Sequence, residues 1–227
     1  MPKIITLTPV WGRPEIFEIC LTGIKRLMQR VDLHPVFAIS EDWAADMLKG
    51  FDYIYHDNKP LGLKKNKLLE YIMQKDFDYL MQLDSDDIIT NSYIDLITPY
   101  INNNTPQFCV NIIYFVDLSG NTAYFKTSHF HGLAMCISKQ SIIKAGGILW
   151  DNNSNRGMDH YCINKLKKVG IENTIIPIKD ICCLDIKSDT NINTINSFPK
   201  LGFSYRDLLR NFEEGDMVIN LIEKNNV

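Results

Sequence analysis

The sequence predicts an α/β fold in which helices cover both faces of a mainly parallel sheet. Over the first 87 residues, apolar runs of strand length alternate with segments of helical periodicity, separated by turn residues. That alternation is typical of strand–helix–strand units, which place consecutive strands in parallel. In such sheets ligands bind beyond the carboxyl ends of the strands, so a site is expected in the loops that follow the strands.

Each element of the first half has its own signal. The apolar run over residues 3–9 predicts a buried strand that ends at Pro9. Pro14 and Glu15 suit the first turn of the next helix, which is expected to end near Arg30. The same periodicities predict a strand over 34–39, a short helix near 43–49, a strand over 53–55, a helix over about 63–74 and a strand over 78–83.

The second half is less regular. A helix is predicted over 91–101, and the turn residues 117–120 indicate a hairpin between strands over 108–116 and 121–126. The remaining predicted elements are a strand over 132–137, helices over 138–145 and 158–168, strands over 175–178 and 181–184, an exposed loop over 187–200 and one or two amphipathic helices near the carboxyl terminus.

Composition and charge exclude several classes of protein. Apolar residues make up 45% of the 227-residue chain and charged residues 22%, which is ordinary for a globular domain. A net charge of −3 gives no overall basic field to hold nucleic acid non-specifically. Because we find neither a signal peptide nor an apolar run of about 18 residues, we expect a cytoplasmic protein without a membrane span. The six cysteines are interpreted as reduced thiols.

The strongest functional signal is the sequence Asp84-Ser85-Asp86-Asp87, which follows an apolar strand. Three carboxylates within four residues repel one another, which raises at least one pKa and costs stability unless a cation is present. Mg²⁺ or Mn²⁺ would relieve that conflict, since both prefer oxygen ligands. The alternative is a solvated turn that caps the next helix. An EF-hand calcium loop is excluded because its glycine and distal glutamate are missing.

Polar residues also stand at other ends of predicted strands and helices. They are Thr8-Pro9-Val10-Trp11-Gly12-Arg13, Ser40-Glu41-Asp42, Gly62-Leu63-Lys64-Lys65-Asn66-Lys67 and Gly157-Met158-Asp159. Lysines at a helix start oppose its dipole, which indicates either an anionic ligand or a solvated helix face. In this order, together with the acidic motif, these segments resemble the GT-A glycosyltransferases. The resemblance is strongest to the inverting nucleotide-sugar transferases of family 2, and it covers roughly residues 3–170.

The resemblance implies a fold, a domain organisation and a set of site residues. It implies a GT-A, nucleotide-diphospho-sugar transferase-like domain over 1–200, with a nucleotide-binding half over 1–100, an acceptor half over 101–200 and a helical extension over 201–227. The implied nucleotide-sugar contacts are Pro9, Arg13, Glu41, Asp42, Lys65, Asn66, Asp84 and Ser85. The implied metal ligands, for Mn²⁺ or Mg²⁺, are Asp84, Asp86 and Asp87.

Asp159 is the candidate catalytic base of this resemblance. It stands where the family has a Glu-Asp pair at a helix start, with Met158 in place of the usual glutamate. A carboxylate there would accept the proton of the acceptor hydroxyl, although an acid at a helix start is also favoured by the helix dipole alone. Asp185 ends an apolar strand where such enzymes often place a third metal ligand or a phosphate contact. His129 and His131, which precede a strand, are interpreted as loop-edge histidines, with a metal or acceptor role as the alternative.

The implied function is a metal-dependent transfer of a hexose-type sugar from a nucleoside diphosphate sugar, with inversion and with UDP favoured. The acceptor hydroxyl belongs to a glycan, a lipid, a protein or modified DNA, and the sequence does not choose among them or fix the oligomeric state. One alternative is a non-catalytic binding or structural protein that retains the fold. Another is a sugar nucleotidyltransferase, which would need a glycine-rich loop with Arg and Lys after the first strand.

Overall fold

The computed structural model, which describes residues 2–189, 191 and 193–226, contains one large and one small sheet flanked by helices. The strands are β1 (Ile4–Val10), β2 (Leu33–Ile39), β3 (Asp52–Tyr55), β4 (Tyr79–Gln82), β5 (Asp87–Ile89), β6 (Gln107–Val110), β7 (Ile112–Asp117), β8 (Thr122–Lys126), β9 (Cys136–Ser138), β10 (Thr174–Ile176) and β11 (Cys183–Lys187). The helices are α1 (Pro14–Met28), α2 (Asp42–Met47), α3 (Leu61–Ile72), α4 (Asn91–Asn102), α5 (Lys139–Lys144), α6 (Met158–Lys168), α7 (Tyr205–Leu209) and α8 (Gly215–Asn225), with a 3₁₀ turn at Ile195–Ser197.

The large sheet has the strand order β10-β6-β9-β4-β1-β2-β3. Strand β1 pairs in parallel with β2 and with β4, β2 pairs in parallel with β3, and β9 is antiparallel to both of its neighbours. The predicted α/β class with a mainly parallel sheet is therefore confirmed. Because β1, β2 and β4 run the same way, the loops that follow them meet at one edge of the sheet.

Apolar side chains cover both faces of the large sheet. On one face the buried positions of α1 and α4 pack on alternate strand residues such as Ile4 and Met81. On the other face α3 and α6 pack on the intervening residues, such as Ile5 and Leu80. Strand β1 is buried along its whole length, as expected for a central strand between two helical layers.

The small sheet has the order β5-β11-β7-β8, with β5 antiparallel to β11 and β11 parallel to β7. Its apolar face shares a core with α1 and with the carboxyl-terminal helices α7 and α8. The described residues of the predicted extension, 201–226, thus pack on the rest of the chain, while the division into domains stays a prediction.

Arg26 of α1 connects this helix to the end of β5, to the start of α4 and to the carboxyl-terminal helices. Its guanidinium donates to the Ile89 carbonyl oxygen at 2.7 Å and to Asn91 Oδ1 at 2.5 Å. It also forms an ion pair with Glu214, in which Nε lies 2.7 Å from Oε1. The Glu214 side chain is 3% exposed, so this pair is largely shielded from water.

The structure differs from the sequence prediction where an apolar run crosses between sheets. The strand predicted over 108–116 is divided at Asn111 into β6 and β7, which belong to different sheets. The strand predicted over 132–137 is reduced to β9, because Ala134 has a left-handed φ of 54° and the Met135 N–H turns back to the Gly132 carbonyl. The three-residue strand β5 was not predicted at all.

Two further expectations concern membranes and cysteines. No helix in the described part of the chain has the length and apolarity to cross a bilayer. All six cysteines are buried and free, in agreement with their interpretation as reduced thiols.

Candidate active site

A cleft of about 620 Å³ opens where the carboxyl ends of β1 and β4 meet the small sheet. Eight of the predicted site residues line it. They are Pro9, Arg13, Lys65, Asp84, Ser85, Asp86, Asp87 and Asp159. The cleft therefore lies at the sheet edge where the loop chemistry was expected, and it gathers residues that are up to about 150 positions apart in the sequence.

The other three predicted contacts do not line the cleft. They are Glu41, Asp42 and Asn66, and their side chains form hydrogen bonds with other parts of the protein. The Glu41 carboxylate accepts the Gly12 N–H at 2.6 Å, and Asp42 accepts the Tyr55 hydroxyl at 3.2 Å. The Asn66 amide donates to the Trp150 carbonyl at 2.8 Å. The structure thus gives these three side chains partners within the protein, and their contact with a nucleotide sugar stays a prediction.

Three carboxylates come together at the junction of β5 and β11. Asp86, Asp87 and Asp185 each offer an oxygen, and these oxygens lie within 4.8 Å of one another. The antiparallel register sets Asp87 opposite Asp185, which is how a distant strand delivers the third carboxylate. Asp84 instead pairs with Lys65, whose Nζ lies 3.0 Å from Oδ1, while the Asp84 N–H donates to Asp87 at 2.7 Å.

Counting Asp84, four carboxylates lie near the junction, and three of them have a cation beside them. Arg13 Nη1 lies 2.6 Å from Asp86 Oδ2, Lys187 pairs with Asp185, and Lys65 pairs with Asp84. Burial opposes ionisation of Asp86, but the charges of Arg13 and Lys187 outweigh burial and lower its pKa. Asp86 also accepts a hydrogen bond from the Asn191 side-chain amide at 2.7 Å.

The fourth carboxylate is Asp87, and it leaves the four carboxylates with more negative charge than the three cations neutralise. Burial, together with the charges of Asp86 and Asp185, raises the pKa of Asp87 well above its usual range. Burial likewise raises the pKa of Asp185 to about 6. One oxygen of Asp185, Oδ1, is buried and has no hydrogen-bond partner within the described ranges. Crowded carboxylate oxygens with an unused acceptor fit a hard divalent cation such as Mg²⁺ or Mn²⁺.

Asp159 lies at the start of α6, after Gly157, whose φ is +67°. The Gly132 N–H donates to its carboxylate, and burial raises the pKa of Asp159 while the charge of Lys65 opposes the rise. A Cβ atom at position 132 would lie 2.2 Å from Asp159 Oδ1, so only glycine allows this approach. Lys65 interacts electrostatically with both Asp84 and Asp159 and so connects the acidic motif to the candidate base.

The two lysines at the start of α3 are buried, which excludes a solvated helix face for them. Lys64 donates to the Val10 carbonyl at 2.7 Å and to Ser40 Oγ at 2.6 Å, and burial lowers its pKa to about 8. Lys64 thereby ties the end of β1 to the end of β2, whereas Lys67 is half exposed.

The structure also adds residues that the sequence did not indicate. Lys187 and Asn191 reach the cleft through β11 and the following segment, and no local pattern marks either one. His131 was interpreted as a loop-edge residue, but it is buried and lines the cleft. The His131 ring lies close to the backbone of Val110 and Leu133.

Comparisons with known proteins support the fold. No protein-family model matches the chain, and no curated protein matches its sequence. Among solved structures, a mannosyltransferase from Pyrobaculum calidifontis in complex with GDP-mannose and Mn²⁺ has a TM-score of 0.53 at 13% identity, over 86% of this chain and 59% of that chain. CMP:2-keto-3-deoxy-manno-octonic acid synthetase, in complex with CTP, has a TM-score of 0.52 at 9% identity, over 86% of this chain and 95% of that one.

A third similar structure, assigned as a nucleotide-diphospho-sugar transferase from Desulfovibrio desulfuricans G20, has a TM-score of 0.51 at 11% identity over 99% of both chains. At these identities the similarity shows the fold alone. The chain therefore has a nucleotide-diphospho-sugar transferase-like fold, with a central sheet flanked by helices.

The geometry predicts which carboxylates bind a divalent cation. Asp185→Asn and Asp87→Asn are each expected to weaken Mn²⁺ binding about tenfold or more, because each removes one oxygen ligand of the group. Asp84→Asn is expected to have a smaller effect, since Asp84 is paired with Lys65. Titration of free Mn²⁺ by electron paramagnetic resonance measures these affinities, with Asp42→Asn as the control outside the cleft. If Asp84→Asn weakens Mn²⁺ binding and Asp185→Asn does not, the set Asp84, Asp86 and Asp87 is the better assignment.

His131 predicts a loss of stability in acid. Burial lowers its pKa to about 4, so between pH 6.5 and 4 the unfolded chain binds a proton that the folded chain does not. The free energy of unfolding of the wild type is therefore expected to fall by about 2 kcal/mol relative to His131→Gln between pH 7.5 and 5, with no difference developing above pH 7. Urea unfolding in EDTA at the two pH values measures it. If the difference in unfolding free energy between the wild type and His131→Gln is the same at both pH values, the folded protein protonates His131 as readily as the unfolded chain does.

Proposed function

We propose that the protein is a metal-dependent glycosyltransferase that uses a nucleoside diphosphate sugar. One observation carries the proposal: a single cleft, at the sheet edge where this fold places its ligand site, contains both the Asp86, Asp87 and Asp185 group and Asp159, with Lys65 between the acidic motif and Asp159. The mannosyltransferase neighbour, which binds GDP-mannose and Mn²⁺, supports this choice by fold similarity.

The acidic group would hold the diphosphate end of the donor. A divalent cation bound by Asp86, Asp87 and Asp185 would neutralise charge on the departing diphosphate. Lys65 is buried and fixed by its pair with Asp84, so its ammonium adds positive charge at a set position on the cleft wall. The Pro9 to Arg13 loop lines the same end of the cleft, where we propose that it contacts the nucleoside.

Asp159 would act as the base. Its carboxylate is oriented by the Gly132 N–H, and burial raises its pKa, which makes it a stronger proton acceptor than an exposed aspartate. Of the carboxylates that line the described part of the cleft, Asp84 and Asp159 lie outside the Asp86, Asp87 and Asp185 group, and Asp84 is ion-paired with Lys65. One base and no second free carboxylate favour direct displacement by the acceptor hydroxyl, which inverts the configuration at the sugar C1.

A nucleotide screen tests the donor assignment. Thermal shift and calorimetry with UDP, GDP, CDP and dTDP, each with and without Mn²⁺, are expected to give one metal-dependent stabilisation of about 2–3 kcal/mol at 100 times the Kd. UDP is the favoured nucleotide. Asp86→Asn is expected to remove the metal-dependent part and to keep the circular dichroism spectrum.

Two outcomes of this screen would redirect the assignment. Preference for CTP or another triphosphate, with pyrophosphate released in the presence of a sugar, would indicate a nucleotidyltransferase. No response to any nucleotide with Mn²⁺ would indicate a non-catalytic protein that retains the fold.

Asp159→Asn tests the base. The variant is expected to bind the donor nucleotide within twofold of the wild type and to lose about 100-fold or more in turnover of the corresponding nucleotide sugar, including hydrolysis with water as acceptor. The rate of nucleoside diphosphate release measures turnover, and His160→Asn, next to it on α6, is the control. Unchanged turnover in Asp159→Asn would leave Asp159 as a helix-start residue without a catalytic role.

A further inference from the structure

The cleft wall that the small sheet contributes is aromatic. Phe115 of β7, Phe125 of β8 and Phe198, after the 3₁₀ turn, line it, and we refer to these three as the phenylalanine wall. The Phe115 and Phe198 rings stack with centroids 4.2 Å apart at 25°, and Phe125 meets Phe198 edge-on at 6.0 Å. Phe115 is buried, whereas Phe125 and Phe198 are half-buried at the cleft surface.

The strand register places this wall next to the acidic group. Asp87 pairs with Asp185, and Asp185 pairs with Phe115, so all three side chains project from the same face of the small sheet. A molecule lying on the phenylalanine wall would therefore be beside the proposed position of the donor diphosphate. That is where an acceptor has to be for its hydroxyl to reach the donor sugar.

The wall offers apolar and uncharged contacts. Lys187 lies over it, with Nζ 4.9 Å from the centre of the Phe115 ring, but its charge is paired with Asp185. The cleft residues around it include the hydroxyl of Thr127 and the amide of Asn193. Ring faces combined with neutral hydrogen-bonding groups match a sugar ring, which has an apolar C–H face and a rim of hydroxyls.

Other acceptor classes fit this surface less well. Among the described cations that line the cleft, Arg13, Lys65 and Lys187 are ion-paired, which leaves the Arg156 guanidinium. One guanidinium is far fewer charges than a protein needs to bind the phosphates of DNA. A lipid would need a broad exposed apolar patch. Among the described residues, none of the large apolar side chains with substantial exposure belongs to the phenylalanine wall.

We propose that the acceptor is an uncharged saccharide whose ring stacks on Phe125 and Phe198. This inference rests on the proposed function only in assigning the acceptor role to the bound sugar. The saccharide contact itself is a property of the wall, and it is measurable without turnover.

Saturation-transfer NMR tests the proposal on the full chain, with and without the nucleotide and Mn²⁺. The probes are methyl glucoside, methyl galactoside, N-acetylglucosamine, cellobiose and lactose, set against glucuronate, glucose 6-phosphate, a dodecylphosphocholine micelle and a DNA duplex. At least one neutral saccharide is expected to bind, with its ring protons receiving the saturation. Phe125→Ala and Phe198→Ala are expected to weaken that binding about three- to tenfold and to leave nucleotide affinity unchanged.

Two further variants separate ring stacking from folding. Phe125→Leu retains apolar volume and is expected to keep the melting temperature while losing saccharide affinity, and Phe125→Tyr is expected to retain affinity. Phe203→Ala, at an exposed phenylalanine that does not line the cleft, is the control.

Three results would overturn the proposal. In the first, no neutral saccharide binds to the nucleotide-loaded protein. In the second, a charged probe, the micelle or DNA binds more strongly than the neutral saccharides do. In the third, Phe125→Ala and Phe198→Ala bind the saccharide as tightly as the wild type does. Failure of the nucleotides to bind would instead count against the proposed function, and saccharide binding that persisted then would still depend on the phenylalanine wall.

Discussion

Crowding of negative charge at the junction of β5 and β11 is the constraint on which the site depends. Asp86, Asp87 and Asp185 lie within 4.8 Å of one another, and burial, together with the charges of the neighbouring carboxylates, raises the pKa values of Asp87 and Asp185. A chain selected for stability alone would replace at least one of them with an amide. Their presence together makes sense if binding a cation repays the cost in folding free energy.

The cations around this group come from different parts of the chain. Arg13 enters from the loop after β1, Lys65 from α3 and Lys187 from β11. The Arg13 and Lys65 ion pairs therefore also fix the loop after β1 and helix α3 against the acidic motif, whereas Lys187 pairs with Asp185 on its own strand. The remaining negative charge is small, so a divalent ion would meet a site that is already partly neutralised by the protein. This arrangement favours binding of the cation together with a negatively charged nucleotide.

The sequence predicted the parallel half of the fold well, because the periodicity of β1, α1, β2 and α3 is local. It failed where long-range pairing decides the structure. Nothing in the three residues of β5 predicts a strand until Cys183 to Asp185 pair with them, and the apolar run through Asn111 does not reveal that it changes sheets. The same limit applies to the site: the acidic motif was visible locally, whereas Lys187 and the phenylalanine wall become neighbours of it only through the small sheet.

The contacts of Arg26 with Ile89, Asn91 and Glu214 restrict which residues related sequences can have at these positions. Strand β5 is three residues long, and Asp87 begins it, so the guanidinium acts only two residues from a carboxylate of the site. Glu214, from the far end of the sequence, supplies the buried counter-charge. Loss of Arg26 would leave the Glu214 carboxylate buried without its cation, and loss of Glu214 would leave Arg26 only the longer pair with Glu213. Positions 26 and 214 are therefore expected to covary across related sequences.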